Sequence, residues 1–389
     1  MNRTTINRVA PLFAAMTMST VGYALAGDGV TDTTIKFGQA AALEGPAAAL
    51  GTGMKLGLEA AFAEANAAGG VHGRTIELVS YDDGYEPDRS IAQVTKLIEE
   101  DKVFGLIGPV GTPTSKATQP IATAAKVPFV GPFTGAGFLR DTKHGNIVNV
   151  RATYAAETEA WIAHLHDRLK LDKIAILYQD DAFGRVGLKG VNAALEKRGL
   201  ELVAQGTYQR NTVAVKAALL DIRKAKPDAV VMVGAYKPIS EFIKLAKKVK
   251  MDSKFVNISF VGSKALSNEL GDAGEDVIVS QVVPYPWDDQ LPLVKNYQAA
   301  LKAVDPKAEP GFVTLEGYMV GRLAVMGLEA AGKDLTRENF LNAFWSTGNF
   351  DLGGVTLSYG SDDNQGMDKV FMTDIQEDGS FKPIEEPAS

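Results

Sequence analysis

Two α/β lobes, each a doubly wound parallel sheet with helices on both faces, are what this 389-residue sequence predicts. Three observations carry the prediction. Short apolar runs alternate with segments of helical period almost to the end of the chain, which is the pattern of repeated β-α-β units. The runs are largely continuous Val, Ile, Leu and Phe, as strands covered on both faces require. They are also too many for one ordinary sheet over a single core.

The first 26 residues stand apart. Arg3 and Arg8 open a stretch in which residues 9–21 are mostly apolar or small, and Ala24-Leu25-Ala26 has the small-x-small pattern of a secretory cleavage site. A leader cleaved after Ala26 is expected. The competing reading is a membrane anchor, but Thr17, Ser19 and Thr20 interrupt the run, and it is shorter than the roughly 20 residues a spanning helix needs. Without the leader, 38 Lys and Arg face 47 Asp and Glu, a net charge of −9. Such an acidic exported chain is a poor partner for nucleic acid. No later segment reaches about 18 uninterrupted apolar residues. There is no cysteine, which excludes disulfides, thiolate metal sites, thiol nucleophiles and a lipid-carrying N-terminal Cys. A chain of this length can bury a core without such staples.

Strands are predicted at 34–39, 75–81, 104–107, 129–131, 147–150, 173–178, 201–208, 229–234, 255–261 and 277–283. The segments between them read as helices; in "DRSIAQVTKLIEE", Ile91, Val94, Leu97 and Ile98 line one face. Helices at 291–303, 312–331 and 337–345 then follow one another closely, and runs at 354–358 and 370–375 look like strands returning to an earlier lobe. No long Gly, Ser or Pro linker separates the halves, which favours a hinge over a tether.

The stretch "GPVGTPTS", residues 108–115, is a tight strand-to-helix turn with Thr112 placed as an N-cap and Pro113 at the first helical position. Free amides there, beside the hydroxyls of Thr112, Thr114 and Ser115, can receive a carboxylate or another small anion, or Thr112 can simply cap its own helix. The next turn, "GPFTGAG", offers Phe133, Thr134 and Gly135 in the same manner. "GTGMKLG" at 51–57 misses the dinucleotide fingerprint, and "GPVGTPTS" lacks the Gly-Lys-Ser/Thr ending of a phosphate loop. Four scattered His fit no metal-ligand spacing, so neither metal nor cofactor is expected. Asp180 and Asp181 at a strand end are helix caps or, in a competing reading, the base of an exported enzyme that lacks any nucleophile elbow. Phe183, Tyr236, Phe260, Tyr285 and Trp287 all follow predicted strands of the second half; they are rim packing or the walls of a cleft around an apolar ligand.

Order and spacing over residues 34–381 resemble the exported solute-binding proteins of the leucine/isoleucine/valine-binding type, which deliver ligands to ABC importers. The resemblance is carried by "LEGPAAALGTGMKLGLEAAFAEANAAGGVHGRTIELVSYDD", "IGPVGTPTSKATQPIA", "VPFVGPFTGA", "KIAILYQDDAFGRVG", "VMVGAYKP" and "SQVVPYP" together. It implies the type I periplasmic binding protein fold, two lobes joined by three crossovers and closing on ligand like a hinge. The lobes so implied are 27–154 plus 285–360 and 155–284 plus 361–389. It implies a periplasmic monomer that presents a small ligand to an inner-membrane permease, or a sensor subunit with the same fold, and no catalysis. Thr112 falls where the family receives the ligand carboxylate, Phe133 and Gly135 on the second anchoring turn with Thr134 between them, and Leu50 on a first-lobe wall. Phe183 and Tyr236 match second-lobe aromatics that cover the ligand; Phe312 is a weaker match. Where amino-acid binders of this type place a Glu for the ligand ammonium, this chain has Ser259. A hydrophobic amino acid held by a substitute acid, Asp181 or Asp180, is the expectation drawn from the family. The alternative is a carboxylate without an amino group.

Overall fold

The computed structural model describes Met1 and residues 28–384; the expected leader lies outside the described residues. The first sheet collects β1 (Thr34–Ala41), β2 (Thr75–Asp82), β3 (Gly105–Ile107), β4 (Phe129–Val130) and β5 (Ile147–Val148) in the parallel order β2-β1-β3-β4-β5. Between them run α1 (Ala48–Ala67), α2 (Pro87–Glu99) and α3 (Thr112–Ala124). The chain then crosses to α4 (Tyr154–Ile162), β6 (Ile174–Gln179), α5 (Ala182–Glu196), β7 (Ala204–Tyr208), α6 (Lys216–Lys224), β8 (Ala229–Val233), α7 (Tyr236–Lys248), β9 (Lys254–Asn257), α8 (Ser263–Leu270) and β10 (Ile278–Gln281). It crosses back to α9 (Pro292–Val304), α10 (Phe312–Ala331), α11 (Arg337–Thr347) and the small hairpin β11 (Asn349–Asp351) and β12 (Thr356–Ser358). A third crossing places β13 (Phe371–Ile375) and β14 (Phe381–Pro383) antiparallel on the edge of the second sheet, whose order is β14-β13-β10-β9-β8-β6-β7.

Two α/β lobes joined by three crossovers are therefore the architecture. Two of the crossing segments are tied together: the Asn149 N–H donates to the Asn364 carbonyl at 2.8 Å, and Gly366 N–H donates to the Asn149 carbonyl at 3.0 Å. The predicted strands fall on observed ones, several overshooting by two or more residues, but the run expected to return to a lobe at 354–358 becomes β12, which pairs only with β11 and joins neither large sheet. Two overshoots have a structural reason. The run 255–261 ends as a strand at Asn257, because Ser259–Val261 turns into a short 3-10 segment. The strand expected over 201–208 begins only at Ala204. A buried apolar run does not by itself distinguish a strand from a packed turn. Among the described residues no helix is long and apolar enough to cross a membrane.

In each sheet the winding reverses beside the first strand, between β1 and β3 in one and between β6 and β8 in the other. Such reversals open a crevice at the carboxyl ends of the strands. The first lobe is braced behind that crevice by α1 lying against α10. A Cβ at Gly57 would stand 2.1 Å from the Thr314 carbonyl oxygen, and one at Gly317 would stand 2.4 Å from that of Met54. The two backbones are thus too close for side chains, and Tyr318 Oη donates to Glu64 Oε2 at 2.6 Å alongside.

Gly57→Ala should lower stability by about 2 kcal/mol or more, since a backbone contact cannot yield as a side chain would and the helix-propensity gain of Ala is only about 1 kcal/mol. A fall in the denaturation midpoint at unchanged slope is the expected readout.

Candidate ligand-binding site

The residues that line the crevice come from the ends of β3, β4, β5, β6, β8 and β9. After β3, the turn reaches α3 through Gly111, which has φ +105 and is the residue before the helix. A Cβ there would meet the Tyr85 ring at 2.2 Å. Thr112 is therefore the first helical residue and not the cap that its sequence position suggested. Its hydroxyl turns outward to Thr134, with 2.6 Å between the two Oγ1 atoms. Thr114 bends back onto the Val110 and Gly111 carbonyls, while Ser115 Oγ is buried without a hydrogen-bond partner.

After β4, the amides of Phe133 and Thr134 donate to the Pro109 and Pro132 carbonyls, and the buried Thr134 hydroxyl accepts the Ala136 N–H at 3.3 Å beside its contact with Thr112. Gly135 is required by a close approach: its carbonyl accepts from Tyr154 N–H at 2.8 Å, and a Cβ would stand 2.6 Å from that nitrogen. This contact brings the Tyr154 phenol beside the Thr112 and Thr134 hydroxyls. Burial raises the Tyr154 pKa, opposed by the Arg151 charge and by those nearby hydroxyls, although neither hydroxyl meets Tyr154 Oη in good hydrogen-bond geometry.

Aromatic rings close the space from both lobes. Phe260 lies at the centre, 5.3 Å from Phe133, 4.7 Å from Phe183 and 5.8 Å from Tyr85 between ring centroids. Phe183 also packs on Tyr154 at 5.4 Å. Leu50 and Tyr236 meet one step away at Gly262, whose Cβ would stand 2.6 Å from Leu50 Cδ2, and Tyr236 Oη accepts the Ala49 N–H at 3.3 Å. Phe312 stands apart, in a cluster with Tyr285, Trp287 and Phe381. Asp181 caps α5 through Phe183 N–H at 2.9 Å and accepts from Arg210 at 2.9 Å and Gln179 at 2.7 Å; Asp180 pairs with Arg185 at 2.6 Å.

Ser259 is held by residues that sequence reasoning missed. Its hydroxyl accepts from Arg151 Nη2 and donates to Glu157 Oε1 at 2.8 Å, and its amide donates to Glu157 Oε2 at 2.9 Å. Arg151, 1% exposed, lies over the Phe133 ring at 4.9 Å and faces Glu157 and Glu316, each at 3.6 Å. Its Nε and Nη1 make no hydrogen bond. Arg151, Glu157 and Glu316 are single charges in otherwise unremarked segments, so only a charge standing inside an apolar stretch, such as Glu316 in "FVTLEGYMVG", offered a signal. Tyr85, at φ +61 beside the "DDG" turn, was missed for the same reason.

Burial pushes the Glu316 carboxyl up to about 7, against the pull of Arg151. In the unfolded chain it ionises near 4.5, so between these values the folded state binds more protons and stability falls as pH rises. Asp83, pushed up to about 6 by burial, acts in the same direction. His164, held below its ordinary value by burial, acts oppositely near pH 6.5, so the Glu316 contribution is read as a difference: the stability of wild type relative to Glu316→Gln should decline from pH 4.5 to 7.

Residues 34–380 match the family model described as periplasmic binding protein. The chain is 25% identical over 340 residues to the leucine-, isoleucine-, valine-, threonine- and alanine-binding protein of Pseudomonas aeruginosa, covering 84% of this chain and 85% of that one. It superposes with a TM-score of 0.86 and 38% identity on a possible leucine/isoleucine/valine-binding protein from Rhodopirellula baltica SH 1, covering 93% of this chain and 98% of that one. A fatty acid ABC transporter substrate-binding protein from Thermomonospora curvata gives a TM-score of 0.84 at 25% identity, over 92% and 93%. Since the match runs through both sheets and all three crossings, the chain belongs to the type I periplasmic binding proteins of the leucine/isoleucine/valine-binding family.

Proposed function

We propose that this chain captures a small carboxylate with an apolar body for an ABC importer, closing two lobes around it in the periplasm and handing it unaltered to an inner-membrane permease. The observation that carries the reading is the trio of Thr112, Thr134 and Tyr154 hydroxyls, buried together under rings from both lobes. Hydroxyl donors in a desolvated pocket suit a carboxylate, because charge-assisted hydrogen bonds are roughly twice as strong as neutral ones. The rings of Phe133, Phe183 and Phe260 suit an apolar body. The ligands named for the Pseudomonas and Thermomonospora relatives, aliphatic amino acids and fatty acids, have a carboxylate in common. Asp180 and Asp181, the candidate bases of an enzyme, are both engaged by arginines, which speaks for binding over turnover.

The purified chain should bind one ligand per monomer from a panel of amino acids and aliphatic and aromatic monocarboxylates. At 100 times its dissociation constant a true ligand adds about 2.7 kcal/mol of stability, well within reach of a thermal-shift screen. Thr112→Val should keep the fold and weaken binding by about 1–3 kcal/mol, since a charged acceptor loses a donor. Unchanged affinity in that variant, or a new product after long incubation with the ligand, would count against the reading.

A further inference from the structure

What the ligand carries beside its carboxylate is decided around Ser259, by the charges it links, and the inference rests on the binding function just proposed. The position is already filled by complementary charge. Glu157 accepts from the Ser259 hydroxyl and amide and from Ser280 Oγ at 2.5 Å, so both its oxygens are engaged before any ligand group arrives. Ser259 in turn takes Arg151 Nη2. Glu316 is the other carboxyl facing this guanidinium, from the opposite lobe's α10. Near neutral pH its proton is only partly lost, so it does not stand as a full counter-charge awaiting a cation.

The unmet needs of the site point the same way. Arg151 Nε and Nη1, Tyr154 Oη and Ser115 Oγ are all buried and all without hydrogen-bond partners. The guanidinium atoms can only donate, and the two hydroxyls each have a proton to give. An ammonium has three donors and no lone pair, so it satisfies neither of these Arg151 nitrogens. It would also be a like charge beside a guanidinium in a site from which water is withdrawn. A keto, hydroxyl or second carboxylate oxygen accepts from Nη1 instead, since Nε already faces Glu316 at 3.6 Å. Asp181, the acid that could have stood in for a glutamate, is held by Arg210, Gln179 and the start of α5.

We propose that the ligand is a carboxylate without an ammonium group, its body laid against Phe133, Phe183 and Phe260 and an oxygen accepting from Arg151 Nη1, the guanidinium nitrogen that neither Ser259 nor a carboxylate faces. Ser259 then positions Arg151 by linking it to Glu157, and is not itself the group that selects.

The test is a set of calorimetric titrations of the wild-type chain with leucine, phenylalanine, their 2-keto and 2-hydroxy analogues, benzoate and hexanoate. At least one ammonium-free carboxylate should bind tenfold or more tightly than either amino acid. Equal or tighter binding of an amino acid overturns the proposal while leaving the carboxylate-binding function standing. Absence of binding by every compound overturns both. Arg151→Lys keeps the charge that Glu157 and Glu316 need but loses the planar fork that holds Nη1 out while Nη2 and Nε face the protein, and should weaken the tightest carboxylate at least tenfold in a chain whose melting transition remains cooperative. Unchanged affinity in the folded variant overturns the role given to Arg151; if the variant does not fold, the wild-type contrast between analogue and amino acid still decides.

Discussion

A guanidinium buried between two lobes is the constraint around which the rest of this molecule is arranged. An unpaired charge in such a place costs several kcal/mol, so Arg151 needs partners wherever it is enclosed. It finds them on three separate stretches of chain: Glu157 on α4, Ser259 after β9 and Glu316 on α10. Arg151 itself lies on the first crossing, between β5 and α4. Residues that must meet to neutralise one charge thus come from both lobes and from the segment on which they turn. Enclosure of Arg151 between the lobes and completion of its ion cluster thus depend on the same contacts.

Around this centre the contacts between lobes grow weaker outward. The aromatic stack through Phe260 is fully buried and brings large apolar surface together, the kind of burial that dominates association energetics. At the edge stand polar contacts such as Arg210 with Glu86 at 2.7 Å and Asn211 with the Gly84 carbonyl at 3.0 Å. Ion pairs that keep partial access to water contribute about 0–1 kcal/mol. Such a gradient suits a trap: the edge guides the lobes together without holding them, and what lies in the middle determines how long they stay.

Much of the fold could be read from the chain because strands covered on both faces write their burial as unbroken Val, Ile and Leu, as in β8, "AVVMV". The site was legible only where chemistry sat at a strand end: Thr112, Thr134 and Phe183 occupy turns whose glycines and caps mark them out. Arg151, Glu157 and Glu316 left no such trace. Their meaning comes from meeting across more than 150 residues of sequence, and a lone charge on a helix ordinarily faces water. Thr112 shows a subtler limit. Sequence places it as a cap, yet Gly111 can take a backbone conformation closed to other residues and so frees the hydroxyl for the cleft.

The glycine-lined contact of α1 with α10 makes those two helices mechanically a single beam. Leu50 near one end of α1 and Glu316 on α10 are both fixed to it, so the first lobe presents a wall of set depth and a charge at a set height. No compliance is available on that side, because the backbones already touch. Adaptation to ligands of different girth falls to the other jaw, where Phe183, Tyr236 and Phe260 sit at the starts of helices or in a short turn and can be exchanged without disturbing a sheet. A lineage built on this frame would diversify its diet by rewriting one lobe and conserving the stiffness of the other.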